Sequence, residues 1–212
     1  MTLLTILLSA AVPGLCAVEH EKVEIDDFSK PTLKAWQQKQ FVGTTSYEVV
    51  QLDGKSVLKA QTKSSASALY KTLDIDLAKT PYLNWSWRVD NIYAIDNQQS
   101  KLGDDYPARL YIIVKEGVLP WQTKALNYVW SNKAEKQLHW PNPFVANAVM
   151  IPVRAGTQGL GKWHHERVNV KEDFYRIFNK EINTAHAVAI MSDSDNAKGS
   201  AVAYYGPIYF SK

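Results

Sequence analysis

In the stretch GDDYPARLYIIV, residues 103–114, two adjacent carboxylates, Asp104 and Asp105, stand just ahead of Arg109 at the mouth of an apolar run. A strand alternates its side chains, so Leu110, Ile112 and Val114 face one way while Arg109, Tyr111 and Ile113 face the other. The apolar set belongs in a core. Arg109 and Tyr111 then lie on the opposite face, with the loop aspartates beside the same strand end. In WSWRVD the same alternation sets Trp85, Trp87 and Val89 against Ser86, Arg88 and Asp90. Three chemistries fit such a polar patch. Arg109 can hold Asp104 or Asp105 in a bidentate pair that pins the loop to the sheet. The same groups can instead line a concave face with Tyr111, Asn127 and Glu166 and hold a polyol or an anionic sugar, since polar groups beside aromatic walls make small-ligand clefts. The third is acid–base work on a polysaccharide, in which Asp104, Asp105 or Glu166 supplies acid or base and Arg109 holds a carboxylate. Glycoside hydrolysis needs carboxyl separations of about 5 Å or about 6.5–9.5 Å.

Other clusters carry weaker chemistry. In SDSDN, residues 192–196, Asp193, Asp195 and Asn196 alternate oxygen donors in the manner of calcium loops, although the glycine and closing glutamate of an EF-hand are missing and an Asx-rich turn is the simpler reading. Beyond this calcium candidate no cofactor is expected. His164 and His165 are consecutive, face opposite ways on a strand and cannot share one metal. The sequence has no HExxH, GxSxG, P-loop or dinucleotide-binding glycine motif. Trp85, Trp87, Tyr128 and Trp130 alternate and belong in the core. Trp121, Trp140 and Trp163 sit in loops beside Pro or Gly, where Trp140 or Trp163 can serve as a stacking wall or as a plug for one end of the fold.

The elements that must position these groups are short. Alternating segments bounded by turns run the length of the chain: SYEVVQL, SVLKAQT, SALYKTLDI, YLNWSWRVD, ARLYIIV, ALNYVWS, AVMIPVR, HERVNV, AHAVAIMSD and VAYYGPIYF. Asp53-Gly54 marks a hairpin turn. VKEDFYRIF, residues 170–178, is a short-helix candidate, and TLKAWQQKQFVG fits a helical turn or two. With 212 residues and no linker or repeat, the pattern predicts one antiparallel all-β sandwich over residues 18–212. Its 7 Trp and 11 Tyr suit pleated sheets and, more weakly, ligand stacking. A net charge of +3 without a basic stripe gives nucleic-acid binding no support.

At the N-terminus, the uncharged apolar run from Leu3 to Val12, followed by Pro13, Gly14 and small residues, reads as a signal peptide over residues 1–17. The run is too short for a spanning helix of about 20 residues, so no transmembrane segment is expected in the mature chain. Leu15 before Cys16 is not the small residue that a lipidation site needs, which argues against a lipoprotein. The expected location is periplasmic or extracellular, and a core without disulfides must then be large.

The opening IDDFSKPTLKAW and the closing AYYGPIYF resemble the paired first and last strands of galactose-binding-like jelly rolls found among carbohydrate-binding modules. In addition, TPYLNWSWRVD, KLGDDYPARLYIIV, ALNYVWS, WPNPF, ERVNVKEDF and AIMSDSDN, in that order, resemble the domain of unknown function 3047 family of exported bacterial proteins. That match runs from Asp26 to Phe210. This chain departs from the family pattern at Ser192 and Ala197, where threonine is usual, and at Pro207, where an acidic residue is usual. The jelly-roll resemblance implies an exported, non-catalytic binding module for carbohydrate or a cell-envelope glycan, with Asp104, Asp105, Arg109 and Tyr111 at its polar centre. A polysaccharide hydrolase or lyase, and a structural or partner-binding envelope protein, are the alternatives.

Overall fold

The computed structural model describes residues 21–117, 122–135 and 137–212. The expected leader, Cys16 and Trp121 lie outside the described residues. The apolar–polar alternation becomes strands β1 (Lys22–Asp26), β2 (Gln37–Val42), β3 (Ser46–Leu52), β4 (Lys55–Lys63), β5 (Ala66–Asp76), β6 (Tyr82–Val89), β7 (Ala108–Lys115), β8 (Thr123–Ser131), β9 (Trp140–Pro141), β10 (Ala148–Ala155), β11 (His164–Asn169), β12 (Thr184–Asp193) and β13 (Ser200–Ser211). One helix, α1 (Val170–Phe178), precedes β12. Asn169 caps it by accepting from the Glu172 amide, and Asn179 ends it in the left-handed conformation.

Two sheets face each other. The first has the order β11-β6-β13-β4-β3, and β1 pairs with the end of β13 beyond the reach of β4. First and last strands thus lie side by side, as in a jelly roll. The second has the order β2-β5-β12-β7-β8-β10-β9, antiparallel except for the β8–β10 pair. The β3–β4 hairpin turns at Asp53 and Gly54, whose φ values of 52° and 73° match the right-handed twist of the strands.

Between the sheets lies the core that alternation demands. Leu110, Ile112 and Val114 of β7 meet Trp85 and Trp87 of β6, Tyr128 and Trp130 of β8, and Ile208 and Phe210 of β13. The rings pack edge-on or tilted, with Trp85 and Trp87 centroids 5.3 Å apart and Trp87 and Trp130 centroids 6.0 Å apart. Each large apolar side chain withdrawn from water contributes about 1.5–3 kcal/mol.

Two local features depart from simple propensity. Residues 37–42, inside the segment that fits a helical turn, form β2 instead, because the edge of β5 offers backbone partners that outweigh a weak helical preference. Pro152 sits inside β10 at a register shift, past the point where β9 stops pairing, so its missing N–H costs no ladder bond. No helix among the described residues is long and apolar enough to cross a membrane. Ile112→Ala, which empties a fully buried site between the sheets, is expected to lower stability by about 2–5 kcal/mol in urea denaturation with an unchanged m value.

Candidate functional site

Arg109 enters β7 on the outer face of the seven-stranded sheet, as alternation requires, yet it is only 1% exposed. The loop between β6 and β7 and the segment around β9 cover that face. β7 and β12 run antiparallel with Arg109 opposite Met191, so the start of one strand lies beside the end of the other, where Asp193 stands. Arg109 Nε donates to Asp193 Oδ1 at 2.8 Å and its Nη2 donates to Asp193 Oδ2, a bidentate pair. Nη2 also donates to the Asp104 carbonyl, Nη1 reaches the Tyr111 hydroxyl at 3.3 Å and Asp104 Oδ2 lies 3.5 Å away. The Tyr106 ring covers the guanidinium at 4.5 Å. The bidentate partner is therefore Asp193, not the Asp104 or Asp105 that sequence proximity suggests.

Burial disfavours every charge here. It opposes the Arg109 charge, but Asp104 and Asp193 outweigh it and hold the guanidinium protonated. Burial raises the Asp104 carboxyl above the usual carboxylate range, with Arg109 pulling the other way. It pushes the Tyr111 phenol up to about 12.

Around this pair, buried amides tie the loops. Asn132 donates to the Asp105 carbonyl at 2.7 Å and accepts from the Tyr93 amide, while Gln98 accepts from Asn132 and the Tyr106 hydroxyl donates to the Gln98 carbonyl. The Asp105 carboxylate accepts from Asn196 Nδ2 at 3.1 Å and from the Ala197 amide. Asn196 thus turns its amide nitrogen towards the acidic cluster rather than an oxygen. Asn127 bonds Met150, and Trp140 packs with Tyr106, Val129 and Met150 at 2% exposure.

The structure therefore brings Asp104, Asp105, Arg109, Tyr111, Asn127 and Trp140 to one covered face. Trp163 and Glu166 lie elsewhere, next to and on β11 of the other sheet. Glu166 accepts from Trp87 Nε1 at 3.0 Å and from Arg154 Nε at 2.5 Å. Trp163 extends over the outer face of the six-stranded sheet, its indole N–H donating to Asp53 at 3.3 Å.

That outer face is open. A shallow hollow of about 380 Å³ is lined by Asn84, Ser86, His165, Arg167, Pro207 and Tyr209. Its floor is shaped by a register shift in β13 between Tyr205 and Ile208, at Gly206-Pro207. A Cβ on Gly206 would come within 2.2 Å of Ser86 Oγ and 3.8 Å of the Trp163 ring, so glycine lets both approach the strand. Tyr82 lies beneath the Arg167 guanidinium at 3.5 Å, and Arg88 sits over Tyr204 at 5.6 Å while bonding Asp90.

Residues 34–209 match the family described as Protein of unknown function (DUF3047). The chain belongs to the DUF3047 family. No curated protein matches its sequence. Among solved structures, it is similar to the family 30 carbohydrate-binding module of a cellulosomal cellulase from Clostridium thermocellum, at 13% identity, covering 90% of this chain and 96% of that one with a TM-score of 0.50. It is also similar to the family 11 carbohydrate-binding module from Clostridium thermocellum in complex with a β-1,3-1,4-mixed-linked tetrasaccharide, at 12% identity over 89% and 94% of the two chains with a TM-score of 0.48. At such identities the family 30 likeness shows the β-sandwich fold alone.

Within this DUF3047 chain, sequence reasoning placed Asp193 in a metal loop and missed it as the partner of Arg109. The available signal was antiparallel adjacency, since a strand ending in SD can lie beside one beginning with AR. It also missed Asn84, Arg167, Pro207 and Tyr209, for which the Gly-Pro inside the closing strand was the clue. Arg109→Met leaves Asp193 buried without its partner and is expected to cost about 3–5 kcal/mol in chemical denaturation in metal-free buffer. Adding Asp193→Leu is expected to recover part of that loss, because the double variant no longer buries the Asp193 carboxylate, although Asp104 still lacks the cation 3.5 Å from it.

Proposed function

We propose that this protein is an exported, non-catalytic module that binds carbohydrate, a cell-envelope glycan, on the outer face of the six-stranded sheet. One observation carries the reading: the open hollow beside Trp163, where aromatic rings stand next to the exposed His165 and Arg167. Trp163 offers flat apolar surface for the C–H face of a sugar ring; the Tyr82, Tyr204 and Tyr209 rings near it each carry a cation over one face, Arg167, Arg88 and Lys22 in turn. His165 and Arg167, both exposed, offer hydrogen-bonding groups for its hydroxyls. At about 380 Å³ the hollow is within the range of about 300–1,000 Å³ for small-ligand sites. The face around Arg109 suits a ligand less well. Each of its guanidinium nitrogens already has a protein partner, and a ligand would have to displace them and the loops above.

The hollow also favours binding over hydrolysis. Glu166 is the one carboxylate residue along its lining, and that carboxylate is held by Arg154 and Trp87, so the hollow has no pair of free carboxyls for acid–base work.

A glycan array probed with residues 21–212, followed by titration calorimetry on the best oligosaccharide, tests the reading. Trp163→Ala and Tyr209→Ala are each expected to weaken binding at least ~10-fold, about 1.4 kcal/mol, with circular dichroism unchanged. An array without signal, or variants that bind like the parent protein, would overturn it.

A further inference from the structure

Strand β11 sorts the charges of the hollow on the six-stranded sheet. Alternation turns Glu166, opposite Trp85 in the register, towards the core, and turns His165 and Arg167 outward, where both are exposed. Glu166 is the one carboxylate residue of the lining, and on the inner side Trp87 and Arg154 hold its oxygen. From β1, Glu24 lies opposite Tyr209, but Lys22 pairs with it at 3.2 Å. The hollow is therefore left with a cationic rim at Arg167 and no unpaired carboxylate of its own lining to answer it.

Arg167 also differs from the other arginines. Of the five in the chain, Arg88, Arg109, Arg154 and Arg176 each lie within ion-pair distance of a side-chain carboxylate, whereas Arg167 has no such partner among the described residues. Its guanidinium lies 3.5 Å from the centre of the Tyr82 ring, and Nη2 donates to the main-chain oxygen of Lys212 at 3.3 Å. Lys212 brings an ammonium of its own, so this contact does not lower the positive charge at that end of the hollow. A guanidinium laid on a ring keeps its edge, where the N–H groups are, for an oxyanion. The ring and the carbonyl thus hold the fork in place in advance, with most of its five donors uncommitted.

We propose, resting on the glycan reading above, that the hollow takes an acidic glycan, a sugar chain bearing a carboxylate or phosphate that Arg167 holds through its guanidinium edge. Carboxylate and phosphate share the paired oxygens that the arginine fork matches. His165 and Arg167 stand about 7 Å apart on the outer face of β11, at about 3.3 Å per residue, and Trp163 precedes them. An oligosaccharide laid along β11 therefore sets one ring against Trp163 while a neighbouring acidic ring meets Arg167. The charge then acts as a selector: a neutral chain can use the indole but leaves the guanidinium without its counter-ion.

The protein is probed on an array that sets neutral oligosaccharides beside uronate-bearing and phosphorylated ones, and the strongest acidic ligand is titrated against its uncharged form, the methyl ester of a uronate or the dephosphorylated sugar. Signal on acidic glycans is expected, and the class that gives it distinguishes carboxylate from phosphate. The uncharged form is expected to bind at least ~10-fold more weakly, and raising sodium chloride from about 50 mM to about 500 mM to weaken the acidic ligand severalfold. Arg167→Gln is expected to weaken the acidic ligand at least ~10-fold, and Arg167→Lys, which keeps the charge without the fork, by less. Both variants are expected to keep the parent melting temperature, because Arg167 is exposed and pairs with no side-chain carboxylate. Signal confined to neutral glycans overturns this proposal and leaves the glycan reading standing, whereas an array without signal removes both. An Arg167→Gln variant that binds the acidic ligand like the parent protein, or an uncharged form that binds equally well, also overturns it.

Discussion

A guanidinium withdrawn from water inside a β-sandwich governs this structure. Arg109 cannot lose its proton, so the fold has to bring neutralising oxygen to it, and the cost of failing is several kcal/mol. Asp193 provides that oxygen only if β12 ends where β7 begins. The pair therefore constrains the register of the two central strands of the seven-stranded sheet as firmly as the apolar alternation does. The same demand draws in the loop before β7, because the Asp104 carbonyl and the Tyr106 ring complete the shell around the guanidinium. Tyr205 of the facing sheet accepts from the Arg109 amide at 3.1 Å, so the arrangement also links the two layers.

From this follows a division between the two outer faces. On the seven-stranded sheet, loops tied by Gln98, Asn132 and Asp105 close over the polar centre and leave its groups engaged with one another. On the outer face of the six-stranded sheet, His165, Arg167 and Pro207 meet solvent, while Asn84 and Ser86 beside them are buried. A sheet face is free for recognition when the polar groups it carries are not already satisfied from above. The richest cluster of ionisable groups is the one most occupied with itself.

Much of the architecture was legible because alternation is a local property. Leu110, Ile112 and Val114 read as core from spacing, as did Trp85, Trp87, Tyr128 and Trp130, and the Asp53-Gly54 turn read from its φ requirement. The helix over residues 170–178 was legible for the same reason. The site was less legible because its pairings are distant in the chain. Arg109 and Asp193 are 84 positions apart, and a carboxylate four or five positions away looked the better partner. Trp140 and Trp163 had similar loop contexts, beside Pro or Gly, yet one is sealed by Tyr106 and Met150 and the other lies along a sheet. Only the path of the covering segments separates them, and no spacing within either loop encodes it.

The covered end also bears on how the molecule holds its loops without covalent links. Residues 21–212 contain no cysteine, so the long connections before β7 and after β8 and the turn after β12 cannot be stapled by disulfides. Loops left to solvent on a sheet of this size would sample many conformations, and ordering each residue costs about 1–2 kcal/mol of backbone entropy. Hydrogen bonds to charged groups, each contributing about 1.5–3 kcal/mol when buried, are among the few contacts strong enough to offset that without a large apolar patch beneath each loop. Concentrating carboxylates, amides and one guanidinium at a single end gathers three loops with a few such bonds. The same concentration accounts for the crowding of Asp105, Asp193 and Asp195: the side chains that order the loops are acidic, and only one basic group lies among them.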